Sequence, residues 1–122
     1  MICLAQDYDR ISPKAQSAIE EARQKGRGVA ICGVTLVEIA RIASHGRIRL
    51  TPNVETFLSD VERTLVVLPI TALIALQSAA LPAGYPRDPV DRIIGATALI
   101  EDIPLVTADA QIRKSRAVRT IW

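Results

Sequence analysis

Hydrolytic chemistry in this chain has to be built from carboxylates. The 122 residues include a single histidine, His45, which removes histidine-based zinc sites and Ser–His or Cys–His nucleophile pairs. The two cysteines, Cys3 and Cys32, form no CxxC pair and read as small core residues. Thirteen acids remain, and position has to choose among them. Glu38, Asp88, Asp91 and Asp109 stand where predicted elements start or end. Carboxylates gathered at one locus repel, and some take up protons unless a cation intervenes. A hard divalent cation such as Mg²⁺ suits oxygen donors, keeps several waters and uses one or two carboxylates alongside phosphate. Such an ion activates water and offsets charge on a phosphodiester under attack. Arg87 and Arg92 flank the acids, and Arg113, Lys114 and Arg116 follow Asp109, so cations that would hold a polyanion lie close in sequence.

Each acid also has a purely structural use. Thr35-x-x-Glu38 reads as a capping box. Asp88 before Pro89 reads as an N-cap, Asp91 suits the helix dipole, and Asp109 after Thr107 fits a turn or cap. Three independent caps have no reason to share one metal-sized locus, which favours Glu38, Asp91 and Asp109 as a functional group. His45 fits a helix C-terminus on the surface.

The elements that would position these acids alternate between helical and extended patterns. Ser12-Pro13 opens a helix with Ala15, Ala18, Ile19 and Ala22 on one face, and Gly26 and Gly28 end it. GVAIC, 28–32, is an apolar strand, followed by a helix starting at Thr35-Leu-Val-Glu38. A helix from Thr51-Pro52, the strand TLVVLPI at 64–70 and an Ala/Leu-rich helix capped by Thr71 come next. After the turn-rich AGYPRD, Asp88-Pro89 opens a helix carrying Val90, Ile93, Ile94 and Ala98 inward. IPLVT, 103–107, and AVRTIW, 117–122, are strands. Strands without apolar/polar alternation, separated by helices, imply a parallel sheet covered on both faces: an α/β fold. A helix that follows a strand, and one that leads into a parallel strand, both start at the carboxyl edge. Glu38, Asp88, Asp91 and Asp109 therefore share that edge, where open sheets bind ligands, and Glu101 and Asp102 fall on the opposite one.

Composition narrows the field further. One domain is expected at this length, and 49% hydrophobic content excludes disorder. Aromatics are only 3%, too few for a base-stacking platform. A net charge of +2 does not by itself argue for nucleic acid. There is no GxGxxG or GxxxxGK[ST], no apolar run of membrane-spanning length and no secretion-signal pattern at the start. With no disulfide framework, a cytoplasmic location is expected.

The strings SPKAQSAIEEA, GVAICGVTLVEIARIASHGRIRL, VVLPIT and YPRDPVDRIIGATALIEDIPLVTAD together resemble the PIN-domain family, in its branch of VapC-type toxins. RDPxDR followed by PLVTxD carries most of that likeness. The resemblance covers essentially the whole chain, 1–122, and implies one PIN-like domain. It also implies a Mg²⁺- or Mn²⁺-dependent endoribonuclease, the toxin of a toxin–antitoxin pair. RNA would be its substrate, a cognate antitoxin its partner, and a homodimer its expected assembly, with no membrane involved. On the matching positions, Glu38, Asp91 and Asp109 would be the catalytic and metal-binding acids and Asp88 an accessory acid. Arg92 would be a phosphate contact or an ion-pair partner, and Arg87 and Arg113, close to the acids in sequence, would contact phosphate as well.

One departure stands out. Such domains begin with a strand ending in an LLDTH-like string whose Asp is a principal ligand. Met1–Gln6 aligns instead with the WxL-like helical segment that follows it. The first central strand is thus expected to be missing and the domain N-terminally incomplete, with Asp7 and Asp9 too far along to replace the lost acid. An internal start codon or a real truncation would each produce this. The alternative function is then a catalytically impaired domain acting as an antitoxin-binding or dimerisation module. The helices at 36–44 and 52–63 would supply its apolar groove.

Overall fold

A computed structural model describes residues 1–5 and 11–122; Asp7 and Asp9 lie outside the described residues. The order is β1 (Ile2–Leu4), α1 (Pro13–Gln24), β2 (Val29–Cys32), α2 (Gly33–Ser44), α3 (Val54–Thr64), β3 (Val66–Leu68), α4 (Ala72–Ala80), α5 (Pro89–Ile100), β4 (Leu105–Val106), α6 (Ala110–Ser115) and β5 (Thr120–Ile121). The five strands form one parallel sheet in the order β3-β2-β1-β4-β5. The α/β expectation therefore holds, with helices against both faces.

The expected gap at the centre of the sheet does not exist. Ile2–Leu4 occupies the middle position, paired with β2 on one side and β4 on the other. Cys3 donates its N–H to the Pro104 carbonyl at 2.9 Å, and Ala5 donates to Val106 at 3.0 Å. The reason is that the slot is short. Its neighbour β4 is two residues long, so a three-residue apolar segment fills it. Ile2 and Cys3 are buried, as a strand covered on both faces requires. The helical alignment of Met1–Gln6 is thus corrected for residues 2–4.

Each face has its own core. Ile2, Val29 and Val106 pack against Ala15, Ile19 and Ala22 of α1, the face forecast from the spacing of its apolar residues. Ser12 caps α1 through Ala15 N–H at 3.1 Å, and Gly26 and Gly28 leave it at positive φ. On the other face, Cys3, Cys32 and Leu105 meet Ile94 and Ala98 of α5, with Tyr85, Ile112 and Val118 closing the cluster. Truncating Ile94 to Ala there would cost about 2–5 kcal/mol.

Boundaries moved where a different residue supplied the cap. Asn53, accepting from Thr56 N–H at 2.8 Å, starts α3 later than Thr51-Pro52 suggested. The short α6 was not foreseen. Its N-cap is Asp109, so the turn-or-cap reading of that acid was the signal for it.

Candidate active site

Strand order reverses between β1 and β4. The chain steps outward from β1 to β2 and β3, then returns to place β4 and β5 on the opposite side. In open α/β sheets such a reversal leaves a crevice beyond the carboxyl ends of the strands. Asp109 follows β4 at this edge, and the start of α5 brings Asp88 and Asp91 to it.

Two of the acids cap helices through their own side chains. Asp109 Oδ1 accepts the Ile112 N–H at 2.9 Å, capping α6, while the Asp109 N–H donates to Thr107 Oγ1 at 3.1 Å. Asp88 Oδ2 accepts the Asp91 N–H at 3.3 Å, capping α5. Asp91 lies in the first turn of that helix. These bonds fix where each Cα stands. In the Asp109 cap the bonded oxygen is Oδ1, so Oδ2 can point elsewhere.

Tyr85, unremarked in the sequence beyond its place in a turn-rich loop, ties two of these acids together. Its side chain is fully buried, and its hydroxyl donates to the Asp91 carbonyl at 3.2 Å. Burial pushes the phenol well above its ordinary range, and the charges of Asp91 and Asp109 push it further. Both charges therefore act on one phenol. A Cβ on Gly95 would overlap the Tyr85 hydroxyl, so the ring needs glycine one turn beyond Asp91. The same loop reaches α6, where Gln111 Nε2 donates to the Gly84 carbonyl at 3.3 Å. A single loop thus braces the starts of α5 and α6.

Arg92 serves that brace. Its guanidinium donates to the carbonyls of Ser78 at 2.8 Å, Pro86 at 3.2 Å and Leu81 at 2.6 Å. Those bonds turn Arg92 toward α4 and the loop, so as a phosphate contact it is corrected: it is a scaffold residue. All three of these partners are carbonyls, so they replace the ion-pair alternative.

Glu38 does not form the capping box. α2 begins at Gly33 with Cys32 as its N-cap, which puts Glu38 in the second turn rather than near the end. The helix starts early because Cys32 ends β2 directly into it. Arg41 Nε donates to Glu38 Oε2 at 3.1 Å and Nη2 to Oε1 at 2.5 Å. The hydrogen-bonded guanidinium holds the Glu38 carboxyl below its ordinary range. Glu38's side chain is only 15% exposed. The charge of Asp88 also acts weakly on Arg41. Thr35, one turn before Glu38, is fully buried, and its Oγ1 is the one buried side-chain polar atom without a partner among the described residues. Its role in the sequence was only that of a cap.

No group of three His, Cys, Asp or Glu side chains is drawn together tightly enough to hold a metal among the described residues. The expected trio is therefore not assembled as the side chains stand, and Glu38 is bonded to Arg41. A hard divalent ion needs only one or two carboxylates and fills its remaining positions with water, so Asp91 and Asp109 have the donor chemistry such an ion takes.

Comparison with known proteins matches this arrangement to a family. A family model, the PIN domain, matches residues 7–117. Ribonuclease VapC22 of Mycobacterium tuberculosis is 35% identical over 115 residues, covering 93% of this chain and 85% of that protein. The crystal structure of VapBC2 from Rickettsia felis bound to a promoter DNA fragment superposes with a TM-score of 0.71 at 15% identity, covering 98% of this chain and 97% of that one. DNA-bound VapBC from Salmonella typhimurium gives 0.69 at 21% identity, covering 98% and 97%. At those identities the two structures establish a shared fold. With the family model spanning most of its length and a relative above 30% identity, this chain belongs to the PIN domain family.

Proposed function

We propose that this protein is a divalent-metal-dependent endoribonuclease and the toxin of a toxin–antitoxin pair. The observation that carries the reading is the topology that brings the start of α5, with Asp91, and the end of β4, with Asp109, to one switch-point edge, where both charges act on the Tyr85 phenol. Likeness to a protein named as a ribonuclease supports the substrate class. Folds shared with toxin–antitoxin complexes support a cognate antitoxin as partner.

Asp91 and Asp109 would hold Mg²⁺ or Mn²⁺, with Glu38 joining once it parts from Arg41 and Asp88 staying an accessory acid. When bound, the ion supplies an activated water and offsets charge on the phosphate. The chain's own part is placement. The two caps fix the carboxylate-bearing backbones, and Tyr85 keeps α5 and α6 from spreading. Arg87 and Arg113 would meet phosphate, Arg92 being committed to the scaffold. A homodimer and a cytoplasmic setting, in which the two buried free thiols stay reduced, complete the reading.

The test is cleavage of single-stranded RNA with Mg²⁺ or Mn²⁺. Asp91→Asn should reduce the rate about 100-fold or more, in line with the several kcal/mol a metal contributes. No cleavage under either ion would reject the reading.

One arrangement favours the binding-module alternative, an impaired domain that only recruits an antitoxin or a second copy. Glu38 is paired internally with Arg41, while Val37 on α2 and Leu76 on α4 are 65% and 71% exposed. Tight partner binding without metal-dependent turnover would select it.

A further inference from the structure

We propose that the RNA strand extends from the acidic edge along α6 to an arginine-lined cleft at the opposite edge of the sheet. The inference rests on the ribonuclease reading and deepens it. Residues 110–122 contain Arg113, Lys114, Arg116 and Arg119 and no acidic side chain, although the whole chain carries a surplus of only +2. The concentration is therefore local, and the rest of the protein has more acids than bases.

Geometry lines these cations up. α6 starts at the carboxyl edge with Asp109 as its cap and runs back across the sheet for six residues, about 9 Å. Arg113, Arg116 and Arg119 then line a cleft of about 340 Å³ together with Asp102 and the ends of α5 and β5. A second hollow, about 330 Å³, shares Arg113 and Arg116 with the first and adds Lys114. A third shares Lys114 with the second and reaches Gly84, in the loop that braces Asp91. The three concavities adjoin one another through shared residues, from Gly84 in the loop before α5 to the far cleft.

The helix dipole explains only part of the cluster. Cations in the last turn of a helix are ordinary, which covers Arg113 and Lys114. Arg116 and Arg119 lie past the helix and still converge on the same hollow. Arg116 is its C-cap with φ +54, a left-handed conformation that glycine would adopt without strain. Asp102, on the rim of the cleft, is the other non-glycine residue at positive φ among those described. Arg119 pairs with Asp102 at 3.0 Å, but both side chains are mostly exposed and such a pair is weak. Among the described residues no carboxylate forms an ion pair with Arg113 or Arg116. Three guanidinium groups against a single carboxylate, that of Asp102, leave the concavity with a cationic surplus suited to phosphate.

The experiment measures binding of a fluorescein-labelled single-stranded RNA to the Asp91→Asn protein by anisotropy across a salt series. Adding Arg113→Gln, Arg116→Gln and Arg119→Gln together should weaken binding about tenfold or more at low salt. It should also flatten the log–log salt dependence by about 2, at about 0.7 per lost phosphate contact. The corresponding triple Arg→Lys variant should retain the slope, and neutralising Lys14 and Arg23 on α1 should leave binding unchanged. A glutamine triple variant that melts like its parent and binds RNA with the same affinity and slope overturns the path, while cleavage by the unmutated protein would leave the ribonuclease reading standing. No RNA binding by the parent at any salt would overturn both.

Discussion

Asp109 has a backbone duty and a chemical one, and a single atom separates them. Asparagine caps a helix about as well as aspartate, whereas alanine costs about 1 kcal/mol. Asp109→Asn should therefore melt close to the unmutated protein yet lose metal-dependent cleavage, and Asp109→Ala should lose both stability and activity. Asp88→Asn should keep its cap and much of the activity, as befits an accessory acid. Glu38 carries a pH signature. Its folded carboxyl is lowered from 4.5 by the Arg41 hydrogen bonds. The pair therefore contributes stability above the unfolded pKa, and that contribution fades as pH falls through the lower folded value. Urea melts of the unmutated protein and Arg41→Gln should differ by less than about 1 kcal/mol at neutral pH and converge in acid. A gap that persists at low pH would mean Arg41 acts through other contacts. At this scale, local chemistry was legible. Asp88, Asp91 and Asp109 declare themselves because caps involve neighbours in sequence. Tyr85 did not, because its partners Asp91 and Gly95 become neighbours only when the loop folds back over α5.

The start of α5 is where scaffold and chemistry meet. Tyr85 fills the space above Gly95, so Gly95→Ala forces ring and helix apart and should destabilise the protein by about 1–3 kcal/mol. Combining it with Tyr85→Leu, which removes the obstructing ring, should recover part of that loss; strictly additive losses in thermal melts would show the two residues do not compete for one space. Arg92→Leu should cost about 3 kcal/mol or more, since it strips charged donors from three carbonyls. Elements with strong periodicity and clear caps, α1, α4 and α5, were readable from the chain. α6 was not, because six residues are too few to show a period, and the capping box at Thr35 failed because β2 runs straight into α2. Both misreadings are short-range patterns overruled by the sheet.

Across the whole molecule, the parallel sheet and its switch point explain why acids far apart in sequence reach one edge. The α/β class followed from unbroken apolar strands between helices. The central strand was misjudged because Ile2–Leu4 is too short to carry a pattern of its own, and only its two neighbours define it. No helix among the described residues is long and apolar enough to cross a membrane. Leu73 and Leu76 on α4 are nevertheless exposed, a surface suited to a second copy or an antitoxin. In the proposed homodimer, Leu76→Lys should weaken self-association in sedimentation runs, and an unchanged sedimentation profile would remove α4 from any dimer interface. The most direct measurement of all is the rate at which purified protein cuts single-stranded RNA with Mn²⁺, set beside Asp109→Asn under the same conditions. We predict cleavage that chelation stops and that the asparagine variant, equally stable, loses about 100-fold or more; cutting that proceeds unchanged in that variant would contradict the account.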